Sequence, residues 1–252
     1  MLSSERRRRI LEWLQHETGM TVAELSARLD VSASTIRRDL NKLAQEGWLE
    51  KIHGGATLPL SVATEMPTQL QRLRNVEEKR RIGALAATLV NPGEVVFLDA
   101  GTTTLEVAKN LKRISPLTVV TNDILIASEL LESRVEIIVT GGSLHKQTVT
   151  LTGPIANRVV EEIHVDKVFA AISALDIEHG LTTAVLNEAF TKRAILAAGR
   201  EVIGVADHSK FGAVAFVEVA PLTVLQTLVT DSGSPAEDIE RIRALGIDVL
   251  MA

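Results

Sequence analysis

The chain has 252 residues, 46% hydrophobic and 23% charged, which is enough for two domains and a sizeable core and excludes a disordered or fibrous class. Cysteine is absent, excluding disulfides and thiolate metal sites, and neither a signal peptide nor an apolar run near the roughly 20 residues of a membrane helix is visible, so a cytoplasmic protein with no membrane partner is expected. The net charge of −5 is uneven: residues 1–56 hold 9 basic and 8 acidic side chains against 18 and 24 in the remainder, a near-neutral head on an acidic body that leaves room for a local basic face.

From the N-terminus, Arg6–Glu17 has helical period, with Ile10, Leu11 and Leu14 inward and the arginines 6–9 available to solvent or to phosphate. Thr18 and Gly19 stop it. Thr21 can cap a second helix through Val22, Leu25 and Leu29, and Asp30 and Val31 make a short turn. Ser32 can cap a third helix that runs to about Gln45 and stops at Gly47, with Ile36, Leu40 and Leu43 on its apolar face. Its other face carries Ser34, Arg37, Arg38 and Asn41, beside Thr35. Guanidinium forks and hydroxyls on one outward face suit a DNA groove, where they meet base edges or phosphates. Asp39 lies at the inner edge and reads as structural. Trp48–Ile52 alternates as a strand, and His53, Gly54 and Gly55 form a tight turn. Three helices and a small hairpin make a winged helix-turn-helix, with His53 a polar residue of the wing tip and Trp48 a core residue.

Arg6, Ile10 and Leu14, then Ser32-x-x-Thr35-Ile36-Arg37-Arg38-Asp39-Leu40, then His53-Gly54-Gly55-Ala56, resemble the DeoR family of bacterial transcriptional repressors in all three blocks and their spacing. The resemblance implies that the third helix enters the major groove of double-stranded operator DNA. Ser32, Ser34, Thr35, Arg37, Arg38, Asn41, His53 and Gly54 are the candidate DNA-binding residues.

Residues 57–75, with Pro59 and Pro67, read as a connector, leaving a head of 1–56 and a body of 76–252. After a helix over 77–90, β-branched runs at 95–98, 117–120, 135–139, 165–170, 202–205, 224–229 and 247–250 alternate with helical patterns at 104–111, 124–131, 155–163, 188–198 and 235–245. That alternation predicts an α/β domain with a mostly parallel sheet, whose ligands bind at the carboxyl ends of strands. Asp99-Ala100-Gly101-Thr102-Thr103-Thr104 leaves a strand and opens a helix, the composition of a phosphate cradle. Lys192 and Lys210 are the candidate cations, and Glu188 and Asp207 candidates for sugar hydroxyls.

Asp99–Thr103, Thr121-Asn122, Thr140-Gly141-Gly142, Leu151–Pro154, Gly180–Thr183, Glu188-Ala189 with Lys192–Ala194, and Ala206–Gly212 are similar to the DeoR sensor domain, itself similar to ribose-5-phosphate isomerase. The resemblance implies a repressor of sugar-metabolism genes, released by a phosphorylated sugar or a related intermediate. In the isomerases an Asp-Gly-Ala-Asp stretch carries the catalytic acids; the matching positions here are Ala170, Ala171, Ile172 and Ser173, with Asp176 the nearest carboxylate beyond them. Without a general base no isomerisation follows, so no catalytic residue, metal or cofactor is expected. The competing readings are a sugar-phosphate isomerase or transferase with a DNA-binding head, and a constitutive architectural DNA binder. A single recognition helix covers few base pairs, so a homo-oligomer, dimer or tetramer, is expected.

Overall fold

The computed structural model describes residues 2–14, 17, 19–45, 48–57 and 67–252. The expected stops at Thr18 and Gly47, residues 58–66 of the connector, and the side chain of Arg8 lie outside the described residues. The chain divides into two compact units, Met1–Arg74 and Asn75–Ala252.

The first unit begins with α1 (Ser3–Leu14), followed by β1 (Met20–Thr21), α2 (Val22–Leu29), α3 (Ala33–Gln45), β2 (Glu50–Ile52), β3 (Gly55–Thr57) and the short α4 (Thr68–Gln71). Ile10, Leu11 and Leu14 of α1, Leu25 and Leu29 of α2, and Ile36, Leu40 and Leu43 of α3 form one buried cluster, as their periods dictate. Thr21 caps α2 in a reciprocal box: its hydroxyl accepts from the Glu24 amide, and the Glu24 carboxylate accepts from the Thr21 amide at 2.7 Å. Trp48 packs against the cluster, in keeping with its core reading. The wing has three strands in the order β1-β3-β2; the two-residue β1 carries no alternation from which a strand could be read.

In the second unit α5 (Val76–Ala87) leads into β4 (Val95–Leu98), α6 (Thr102–Leu111), β5 (Thr118–Thr121), α7 (Ile124–Leu130) and β6 (Glu136–Val139). A hairpin, β7 (Ser143–His145) and β8 (Thr150–Thr152), precedes α8 (Pro154–Glu161) and β9 (Val165–Ala171). Then come β10 (Ala174–Asp176), β11 (Gly180–Thr183), α9 (Leu186–Ala198), β12 (Gly199–Val205), β13 (Val217–Ala220), β14 (Thr227–Thr230), α10 (Ala236–Ala244) and β15 (Asp248–Met251). Seven strands form one parallel sheet in the order β15-β14-β12-β9-β4-β5-β6. Both faces are covered. Phe97 and Val168 pack with α8, α9 and α10; Val96, Leu98 and Phe169 pack with α5, α6 and α7. Burial on both faces is why these strands read as continuous apolar runs.

The chain runs outward from β4 through β5 to β6, then returns to lay β9 on the other side of β4. The order therefore reverses between β4 and β9, and the loops beyond their carboxyl ends part there, which is where sheets of this kind take ligands. The expected strand at 224–229 is shifted: residues 222–224 form a 3-10 turn and pairing begins at Thr227. The antiparallel sheet β10-β11-β13 and the β7–β8 hairpin were not anticipated. No described helix is long and apolar enough to cross a membrane.

Candidate functional site

On the head, α3 presents Ser32, Ser34, Arg37, Arg38 and Asn41 to solvent, with Thr35 half-buried. Ser32 caps the helix: its hydroxyl accepts from the Thr35 amide at 3.3 Å and lies 2.9 Å from the hydroxyls of both Ser34 and Thr35. Asn41 accepts from Lys51 Nζ on β2 at 2.8 Å, tying the outward face of α3 to the wing; Lys51 was not singled out from sequence. Asp39 is buried and accepts from Arg6 Nε at 2.5 Å, which bears out its structural reading. Arg6 is thereby half-buried and paired with Asp39.

His53 and Gly54 are exposed at the wing tip. Gly54 has φ +80, the left-handed region that favours glycine, and its carbonyl accepts from the Val22 amide at 2.8 Å. Gly55 is required for another reason: a Cβ there would lie 2.1 Å from the Met20 carbonyl oxygen. Close approach of β3 to β1 excludes any side chain.

In the body, Asp99, Gly101 and the Thr102–Thr104 start of α6 sit at the carboxyl end of β4, beside the reversal point. Asp99 is buried; its Oδ2 takes Lys192 Nζ and the Ala171 amide. Lys192 also donates to the Ala171 carbonyl at 2.9 Å. Lys192 is therefore brought to the loop as expected, but its charge is already engaged by Asp99. The loop amides are partly committed too. Ala100 N–H donates to Asn122 Oδ1 at 2.9 Å, and the Gly101 amide pulls on the Asp123 carboxyl. Thr104 is fully buried and donates to the Gly101 carbonyl at 2.9 Å, so its hydroxyl serves the loop. Gly101 has an extended backbone; its missing side chain answers to Ala171, whose Cβ would lie 2.5 Å from an added Cβ. The amides of Thr102, Thr103 and Thr104 have no partner within their own helix, and the side chains of Thr102 and Thr103 are buried beside them.

Burial pushes the Asp99 carboxyl above its ordinary value, and Glu188 adds to this, while Lys192 opposes it. Asp123, 1% exposed, caps α7 by accepting from Leu125 and Ile126 amides at 2.6 and 3.3 Å. Burial pushes it up to about 6 against the pull of those amides and of Gly101, with Asp99 adding to the rise.

Glu188 is buried at the start of α9 and accepts from the Thr148 hydroxyl at 2.5 Å; His145 Nδ1 lies 2.8 Å from the same hydroxyl. Both partners come from the β7–β8 hairpin. Val149, beside Thr148, has φ +57, which a β-branched residue seldom adopts.

Beyond β12, Asp207 is buried and caps the 3-10 turn His208–Lys210. Its Oδ1 accepts from Ser209 N at 3.1 Å, Ser209 Oγ at 2.5 Å and Asn75 Nδ2 at 2.7 Å. Lys79 Nζ stands 4.0 Å from its Oδ2. Burial raises the carboxyl, but Lys210, Ser209, Lys79 and Asn75 together outweigh burial and hold it below its ordinary value. His208 turns to Asp231, with Nδ1 2.9 Å from Oδ2. Two buried carboxylate oxygens, Asp99 Oδ1 and Asp207 Oδ2, meet no hydrogen-bond donor among the described residues.

Ala170, Ala171, Ile172 and Ser173 close β9 and line a small cavity with Asp99, Lys192, Leu181 and Thr182. None carries a carboxyl group. Asp176 stands apart at the end of β10, where it accepts from the Glu178 and His179 amides of a turn. Asn75, Lys79, Asp123, His145 and Thr148 escaped the sequence reading. Only Asp123, placed between a strand and a helix, carried a legible signal, that of a cap.

A family model described as a DeoR-like helix-turn-helix domain matches residues 6–62, and one described as a DeoR C terminal sensor domain matches residues 74–232. The chain is 39% identical to the HTH-type transcriptional regulator GlpR of Haloferax volcanii, over 99% of this chain and 98% of that protein. It is 36% identical to the HTH-type transcriptional repressor GlcR of Bacillus subtilis, over 92% and 89%. Among solved structures, ribose 5-phosphate isomerase A of Methanocaldococcus jannaschii is similar with a TM-score of 0.41 and 15% identity, over 54% of this chain and 55% of that one. The chain belongs to the DeoR family: it is a transcriptional regulator with a DNA-binding head and a sensor body, and not an enzyme.

Proposed function

We propose that this regulator is a cytoplasmic homo-oligomeric repressor of sugar-metabolism genes, released from double-stranded operator DNA by a phosphorylated sugar or related intermediate. The ligand would occupy the carboxyl ends of β4, β9 and β12. The observation that carries the reading is the pair of buried acceptors, Asp99 Oδ1 and Asp207 Oδ2, at the carboxyl ends of β4 and β12, the strands on either side of β9. A buried acceptor without a donor is costly, and the hydroxyls of a sugar are donors of the right kind. Directly after β4, the Thr102–Thr104 amides at the start of α6 offer a seat for an anion, with Lys210 to neutralise it. Arg37 and Arg38, outward on α3, are the base or phosphate readers, supported by Ser34, Asn41 and the wing tip.

Homo-oligomerisation is supported by β6, an edge strand that leaves Ile138 and Val139 exposed, and by exposed Leu131, Leu144 and Ile155 on neighbouring elements. Self-association also matches the need for more than one recognition helix.

The test is a thermal-shift and titration series with hexose and pentose phosphates and their unphosphorylated parents. A phosphorylated member should bind, and should weaken binding to an operator selected from random DNA by the wild-type protein. Thr102→Ala and Lys210→Ala should each lower effector affinity by about tenfold, or about 1.4 kcal/mol. Equal binding of the unphosphorylated sugar would refute the anion seat.

A further inference from the structure

Helix α5 opens at Asn75, the first residue of the second unit. An Asn before a helix ordinarily folds its side chain back onto the amides of the first turn. Asn75 makes no such bond. Its backbone is left-handed, φ 48 and ψ 44, and its side-chain amide instead donates to Asp207 Oδ1, 132 residues along the chain.

One turn on, Lys79 is 4% exposed and its ammonium stands 4.0 Å from Asp207 Oδ2, the buried oxygen that no donor reaches. A buried ammonium is costly without a counter-charge, so the two attract each other. The separation is nevertheless too long for a hydrogen bond. Lys210, in the turn that Asp207 caps, also draws on the same carboxylate by its charge. The remainder of α5 is locked in place. Ile82 and Ala86 are core residues, and a Cβ on Gly83 would lie 2.6 Å from the Glu106 backbone of α6. The first turn of α5 is therefore the part of the helix whose partner lies in the candidate effector site. Arg74, immediately before it, ends the unit that carries the recognition helix.

We propose that Lys79 belongs to the effector site and that Asn75, tethered to Asp207 beside it, reports the site's occupancy to the head. An anionic ligand bearing hydroxyls draws on the charge of Lys79 and Lys210 and donates a hydroxyl to Asp207 Oδ2. The Asn75–Asp207 hydrogen bond then passes the resettling of Asp207 to the start of α5, and so into the connector. For its ligand this inference rests on the effector reading above; the Asn75 tether itself can be tested without one.

Two variants of the full chain separate the roles. Lys79→Met keeps the apolar stem and removes the charge. Asn75→Gly keeps the left-handed backbone and removes the amide. Effector affinity is measured with the hexose or pentose phosphate that binds the wild type, and coupling is the ratio of operator dissociation constants with and without it. Lys79→Met should lower effector affinity by about tenfold. Asn75→Gly should keep effector affinity within about threefold, while a wild-type coupling in the common range of about 5- to 150-fold falls below about twofold. Wild-type coupling in Asn75→Gly, or wild-type effector affinity in Lys79→Met, overturns the inference and leaves the effector reading standing. If no sugar phosphate binds the wild type, the effector reading fails, and the tether is decided by amide exchange of residues 76–82 without ligand. Loss of the Asn75 hydrogen bond should speed that exchange by about threefold or more; unchanged exchange overturns the tether.

Discussion

Asp123 joins stability to the candidate site through its titration, and the size of the effect can be worked out. Its carboxyl moves from an ordinary 3.8 to about 6 because it is buried. Below the ordinary value both folded and unfolded chains keep the proton. Between the two values the unfolded chain has lost it and the folded chain retains it, so the unfolded state binds fewer protons and stability falls as pH rises. At about 1.36 kcal/mol per pH unit, the loss is about 3 kcal/mol, complete once pH passes the folded value. That is a large fraction of the stability of a typical domain. Asn caps helices about as well as Asp and does not titrate, so Asp123→Asn is the reference. Urea unfolding of both proteins should be followed by far-ultraviolet circular dichroism from about pH 3.5 to pH 7. The wild type should lose about 3 kcal/mol relative to the variant over that range. Trp13 and Trp48 are the chain's two tryptophans, and both lie in the head. Their fluorescence should therefore show no such difference, which assigns the effect to the body. A difference curve that is flat, or that rises with pH, refutes the assignment of a buried, proton-retaining Asp123.

Two further outcomes are expected. Arg37→Ala or Arg38→Ala, at exposed positions of α3, should cost ~1–3 kcal/mol of operator affinity and relax specificity at one position if it reads a base; full affinity and specificity in both variants would remove α3 from the groove. The body alone, residues 75–252, should sediment as a dimer or tetramer, and an Ile138→Lys substitution on edge strand β6 should reduce that assembly; a monomeric wild-type body would count against homo-oligomerisation through this unit.

Periodicity told which face of an element is buried, and it did so well wherever elements are long. The three head helices and the seven strands of the main sheet were legible because each holds several apolar side chains in register. The wing strand β1, with two residues, and β7, β8 and β10, with three each, hold too few positions for a period to show. Gly101 was legible as a glycine that matters, but the sequence suggests an anion as the reason, whereas the backbone is crowded by Ala171 from a strand seventy residues on.

Charged residues were the least legible, because a period assigns a face and says nothing about a partner. Arg6 reads as one of four similar arginines, yet it reaches Asp39, 33 positions away. Lys192 was placed at the right loop, with its engagement by Asp99 hidden. Lys79 sits in a run of charged residues, Glu77 to Arg81, that reads as a solvated face; only the approach of β12 to the start of α5 makes it a buried cation. The same approach decides Asn75. In sequence it only ends the connector, and nothing there assigns its side chain a partner. In the structure its amide is spent on Asp207, so the first turn of α5 keeps its orphan amides and depends on the strand-end loop for its hold. A helix start secured from outside the helix responds to whatever happens at that outside partner, which is the physical reason to look for communication there and not along the well-packed length of α5.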